Sequence, residues 1–205
     1  MNNDLFQAYE SLVAKAESSF QGMEKEYGDC IKCKIQCSDC CHSIFGLFSI
    51  ESAYLSHHFS RLDRKLRREI LSRCEKTDRE LLELEKRLKE AHGEDQQALL
   101  SAIARERVRC PLLNDENKCS MYQHRPITCR VYGMPTVIGG KMHACWKAGF
   151  ERGKQYPAFD LDGMYRELYG LSKEFLARAG NMDEERASLL LSVSKSVSTP
   201  LEELT

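Results

Sequence analysis

Between Asp4 and about Tyr27 the apolar residues Leu5, Tyr9, Leu12, Val13, Ala16 and Phe20 recur at the three- and four-residue steps that line one face of a helix. This spacing predicts a first helix. Ser49, followed by Ala53, Tyr54, Leu55 and Phe59, predicts a short second helix with Ser49 as its N-cap and His57 and His58 at its exposed end. From Ile70 the residues Ile70, Cys74, Thr77, Leu81, Leu84, Leu88 and Ala91 alternate steps of four and three, a coiled-coil-like seam that stops at Gly93. Residues 96–109, with Leu99, Leu100 and Ile103 inward, read as the returning partner, so 61–109 is expected to form an antiparallel helical hairpin. Residues 135–138 and 141–143, around Gly139 and Gly140, predict a small β-hairpin. Two helices within 160–198 are expected to close the chain: Leu161 to Ala179, marked by Met164, Leu168, Leu171, Phe175 and Leu176, and Asp183 to Val197. The expectation is a mainly α fold, a helical scaffold in one domain over 1–205, with no internal repeat and no low-complexity linker.

Two segments interrupt this periodicity. Residues 30–42 hold Cys30, Cys33, Cys37, Cys40 and Cys41, too dense in thiols and too poor in spaced apolar residues for a regular element. They read as a loop folded around a ligand that supplies its core. Residues 110–145 add Cys110, Cys119, Cys129 and Cys145. An antiparallel hairpin between the two segments returns Arg109 near its own start, which lets Cys110 approach Cys41.

At 205 residues the chain can bury a real core, so a metal site here is free to do more than staple the fold. The formal net charge of -1 supplies no bulk attraction to nucleic acid or to an anionic membrane. The basic stretch Arg61, Arg64, Lys65, Arg67 and Arg68 is interleaved with Asp63 and Glu69, the pattern of a solvated face. The first residues lack a basic start with an apolar run, and no stretch approaches the roughly 18 apolar residues of a spanning helix. A cytoplasmic protein is therefore expected, and in a reducing compartment clustered thiols point to metal binding or redox chemistry rather than to disulfides.

Thiolates are soft ligands, and several converging anions call for a cation, either Zn²⁺ or the iron of an iron–sulfur cluster. The first segment reads C-x2-C-x3-C-x2-C-C; the second has intervals x8, x9 and x15. No C-x2-C turn carries the glycine usual in a zinc knuckle, and the run departs from the bacterial ferredoxin pattern, with Cys41 in place of its proline. An iron–sulfur cluster, of the 4Fe-4S kind, is the first expectation and a structural zinc site with four cysteine ligands the second. Cys74, on the helical seam, reads as a small hydrophobe. His42 beside Cys41 is a further donor candidate, ahead of His124 and His143.

Taken together, C-x2-C-C, then C-P-L-L at Cys110, then C-x2-Y-x2-R-P-x2-C-R from Cys119 to Arg130 resemble the bacterial YkgJ-like CxxCxxCC family, over about Cys33 to Phe150. The resemblance implies zinc or iron chelation, often with an Fe–S label. It places the family's eight cysteines on Cys33, Cys37, Cys40, Cys41, Cys110, Cys119, Cys129 and Cys145. The first interval is one residue longer than the family name implies, so Cys30 competes with Cys33 for the first place. Arg125 and Arg130, both within the shared motif, are expected as guanidinium donors beside the thiolates, and Pro126 as the turn that presents Cys129 inward. Tyr122 is expected against the site or in the core. The implied role is redox, electron transfer or sensing, with a redox partner protein. The same motif occurs in flagellin lysine methylases that use S-adenosylmethionine; this chain lacks a glycine-rich nucleotide loop, so a methyl-transfer component ranks third and enzymatic activity stays open.

Overall fold

The computed structural model describes residues 3–34, 37–151 and 153–204. Its order is α1 (Asn3–Tyr27), α2 (Ser49–Phe59), α3 (Arg64–His92), α4 (Gln96–Ile103), α5 (Ile127–Val131), β1 (Thr136–Ile138), β2 (Lys141–His143), β3 (Phe159–Asp160), α6 (Leu161–Arg178), α7 (Glu184–Ser188) and α8 (Val193–Ser198). Single 3₁₀ turns lie at Asp39–His42, Tyr122–His124 and Leu201–Glu203. The fold is mainly α with one small sheet.

Helix α1 follows its pattern. Leu5, Tyr9 and Ala16 are buried together with Phe6 and Met23, and Leu12, Val13 and Phe20 pack at the margin of the same core. That face meets α2, α5 and α6. Helix α2 is buried on nearly every side, between α1, α6 and α8. Ser49 does not cap it: Ser49 lies inside the first turn, and the capping position holds Phe48, which has no side-chain acceptor. Glu51 compensates from within the helix, accepting from the Phe48 amide at 3.4 Å. His57 and His58 are not a free end either. His58 stacks on His124 with ring centroids 3.7 Å apart, and His57 lies 5.1 Å from Phe6.

The predicted hairpin is half right. Asp63 caps α3 through the Leu66 amide, and Gly93 at φ 58° ends it. The seam buries Ile70, Cys74, Thr77, Leu84 and Leu88, although Ala91 is exposed. The returning helix stops at Ile103, and Leu100 points outward at 68% exposure. Ala104 and Arg105 turn the chain, and residues 106–109 run back beside the cysteine loop, whose backbone groups need partners. Ser43 bridges Arg107 in antiparallel fashion, the Val108 amide donates to the His42 carbonyl at 3.0 Å, and the Cys110 amide donates to the Cys41 carbonyl at 2.7 Å.

A similar demand breaks the last predicted helix. Between α7 and α8 the chain extends, and Leu191 exchanges backbone hydrogen bonds with Leu47 at 2.8 and 2.9 Å before Ser192 caps α8. Helix α8 then packs on α2 and α3. The β-hairpin is present, its turn made by Gly139 and Gly140 at φ 58° and 69°, a conformation glycine enters freely. Strand β3 adds parallel to β1, pairing that the sequence pattern did not reveal.

The main core joins α1, α2, α5 and α6. A second, formed by Leu47, Leu55, Phe59, Ile70, Cys74, Leu112, Met121 and Val197, lies among α2, α3, α8 and the cysteine segments. Cys33 borders the first and Cys110 and Cys119 the second. Among the described residues no helix is long and apolar enough to cross a membrane.

Candidate metal centre

Three stretches of chain assemble the thiols. The 3₁₀ turn Asp39–His42 carries Cys40 and Cys41, and the 2.7 Å bond from Cys110 N to Cys41 O locks Cys110 beside them. After Cys110 the chain doubles back. Asn114 Oδ1 accepts from the Glu116 and Lys118 amides at 3.1 and 2.8 Å, Asn117 takes φ 58°, and Leu113 bridges Cys119. Pro126 then opens α5, which carries Cys129 and Arg130. Cys40, Cys41, Cys110, Cys119 and Cys129 line one cavity of about 60 Å³, together with Arg125, Pro126, Val108 and Leu112.

The electrostatics of this cavity are those of too many thiols in too little water. The Cys40 and Cys41 Sγ atoms are 4.0 Å apart. Hydrogen bonds from Cys129 and Cys41 pull the Cys40 pKa down, helped by the Arg125 charge. Cys41 and Cys129 are correspondingly pushed up by the Cys40 thiolate they hold and by burial. Burial pushes Cys110 up to about 12 and raises Cys119 as well. One thiolate is tolerated and the rest stay protonated; only a cation among them changes this balance. The donor set is therefore that of a soft metal or thiolate-bound cluster. Among the described residues no three or more His, Cys, Asp or Glu side chains stand in an arrangement that could hold a single ion.

The other family cysteines stand outside this cavity. Cys33 is pushed up to about 12 by burial and by its neighbours Cys37, Cys145 and Cys40, in that order. Cys145 donates to Asp39 Oδ2 at 3.6 Å. Asp39, 7% exposed, also accepts from Tyr132 Oη at 3.1 Å and Trp146 Nε1 at 3.2 Å, and pairs with Arg107 and Lys147 at 3.5 and 3.3 Å. Although burial opposes it, these donors and cations hold its carboxyl below the ordinary value. The Cys30 carbonyl accepts from the Gly149 amide at 2.8 Å.

Arg125 lines the cavity, and its charge acts on Cys40 and Cys119. Arg130 serves differently. It is 5% exposed, donates to the Arg125 carbonyl at 2.9 Å and the Gln123 carbonyl at 2.7 Å, and pairs with Glu17, so it braces the turn that delivers Cys129. Tyr122 is not a core residue; it is 52% exposed, with the Arg125 guanidinium 3.9 Å over its ring. His42 Nδ1 lies 2.9 Å from the Ser38 carbonyl, His124 is committed to the stack on His58, and His143 is exposed on β2. The sequence reading missed Asp39, Tyr132, Arg107 and Lys147. Asp39 adjoins Cys40, but its partners lie 68 or more residues away, and no local spacing announces them.

A family model, CxxCxxCC, described as "Putative zinc- or iron-chelating domain", matches residues 29–146, more than half of the chain. No curated protein and no solved structure matches it.

Proposed function

Because the chain belongs to the CxxCxxCC family of zinc- or iron-chelating domains, we propose that it holds a thiolate-ligated iron–sulfur cluster, of 4Fe-4S type, for electron transfer or redox sensing. Four of Cys40, Cys41, Cys110, Cys119 and Cys129 supply the ligands. The observation that carries this reading is the convergence of five thiols, from three stretches of chain, on one apolar cavity. Its volume of about 60 Å³ is roughly four to six times the 10–15 Å³ that one water needs, which suits a polynuclear core. Such a cluster supplies one-electron chemistry, and its potential is set by burial and nearby charge. Here Arg125 provides the charge and Val108, Pro126 and Leu112 the burial. Residues 29–146 contain all eight cysteines assigned to the family and exclude α1 and α6 to α8, which act as scaffold. A reducing cytoplasm, with a redox partner protein that exchanges electrons with the cluster, fits ten free thiols.

Protein purified without oxygen should be brown, absorb broadly near ~400 nm, and contain iron and acid-labile sulfide. Stoichiometric zinc with neither would overturn the reading. A single geometric fact favours that second outcome. Zn–S bonds of ~2.3 Å set tetrahedral sulfur atoms ~3.8 Å apart, close to the 4.0 Å between Cys40 and Cys41.

A further inference from the structure

We infer that the cleft between α1 and α6 is a binding site for a small organic cation, an amine carried on an aromatic body. No cysteine lines it, and every lining residue except Met134 falls outside the matched residues 29–146. The site belongs to the scaffold helices rather than to the family domain, and it stands whether the inner cavity holds iron, zinc or neither.

The cleft offers about 450 Å³, within the range of roughly 300–1,000 Å³ found for small-molecule sites. Helical spacing builds one wall, where Lys15, Ser19, Gly22, Met23 and Glu26 follow one another along α1. Met164 and Glu167 supply the other from the first turns of α6, and the parallel pairing of Phe159 with Thr136 brings β3 to the same place.

The floor is apolar and adaptable. Three of the seven methionines, Met23, Met134 and Met164, line it together with Phe159, none of the four more than 7% exposed. Unbranched thioether side chains adjust to a ligand's outline and make favourable contacts with aromatic rings, so a flat aromatic body suits this floor. Gly22 keeps the space clear. Glycine destabilises a helix interior relative to alanine, yet a Cβ on Gly22 would meet no atom within 4 Å, so packing of the chain does not require it.

The lining charge selects the sign of the ligand. Lys15 Nζ and Glu167 Oε1 pair at 2.8 Å and offset each other. Asp160 Oδ1 accepts from the Gly163 amide at 2.8 Å, so the start of α6 is capped from within and offers no anion site. Arg166, 3.9 Å from Asp160 Oδ2, has a side chain 75% exposed and lies outside the lining. Glu26 adds a further exposed carboxylate. Three carboxylates against one ammonium leave the lining negative, which favours a cation and disfavours an anion.

The test titrates the full chain, with its metal as purified, against anthracenylmethylammonium and against anthracenecarboxylate, an anion on the same ring, by anthracene fluorescence and calorimetry. Hexylammonium supplies the charge without the ring. Wild type should bind the aromatic ammonium about tenfold or more tighter than either of the others. Gly22→Phe, which places a ring in the cleft, should lose that binding while helical circular dichroism and metal per chain stay as in wild type. Glu26→Lys should weaken the ammonium about tenfold and strengthen the carboxylate. Absence of binding by the aromatic ammonium, equal affinity for the carboxylate, or undiminished binding in Gly22→Phe would overturn the site. If Gly22→Phe loses helix, Glu26→Lys decides in its place, and an unchanged affinity for both anthracenes there overturns the site equally.

Discussion

Glu51 is a carboxylic acid with almost no access to water, and its replacement by glutamine should change how stability depends on pH. It is 3% exposed; Oε1 accepts from the Ile127 amide at 3.1 Å and Oε2 from the Phe48 amide at 3.4 Å, with Tyr9 Oη at 3.5 Å. Burial outweighs these donors and raises its pKa from 4.5 to about 7. Between those values the folded protein retains a proton that the unfolded chain has released. The stabilisation is thus fully present below about 4.5 and is lost as pH rises through about 7. At about 1.4 kcal/mol per unit, the loss amounts to about 3 kcal/mol. Glutamine keeps an acceptor for the Ile127 amide and cannot ionise. Wild type alone does not expose the effect, because His57, His58 and His124 are all lowered by burial and contribute the opposite slope as pH falls. The difference between Glu51→Gln and wild type isolates it. Urea unfolding of metal-stripped, reduced protein, followed by circular dichroism at intervals from about pH 4.5 to about 7.5, should show the variant gaining on wild type by up to about 3 kcal/mol. A difference that stays constant across that range would refute the argument.

Cys40→Ser and Cys129→Ser should each lose most of the metal of the inner cavity, read as metal per chain after anaerobic purification, whereas Cys74→Ala should keep it. Cys74 is 2% exposed in the second core, and its truncation should lower stability by about 1 kcal/mol in urea unfolding. Arg130→Lys should not substitute for arginine, since one ammonium cannot serve Glu17 and the carbonyls of Arg125 and Gln123 together. A loss of about 2 kcal/mol, seen as a melting temperature lower by about 6 °C, is expected; an unchanged melting temperature would show that the brace is unnecessary.

Periodicity alone determined α1, the body of α3, the position of α6 and the glycine turn of the β-hairpin, because each depends on residues within a few positions of one another. Thiol density likewise singled out residues 30–42 and 110–145, and the family match covers both. Where periodicity failed, a distant backbone had claimed the segment. Residues 104–109, expected as the end of the returning helix, instead turn and run back so that the Val108 and Cys110 amides satisfy His42 and Cys41, and residues 189–191 extend to pair Leu47. Ser49 looked like a cap by type, but Glu51 was placed to satisfy Phe48 from inside the turn. The arrangement of thiols belongs to the same class. Sequence supplies their number and softness, and so the need for a cation; it cannot distribute them, since spacing along a loop does not set direction. Only the folded chain, by returning Cys110 to Cys41, seating Cys129 on α5 and pressing Gly133 against Cys33, sends five thiols to one cavity and leaves Cys145 on a buried Asp39. Contacts made across 60 to 110 residues decide that separation, and no local pattern encodes them.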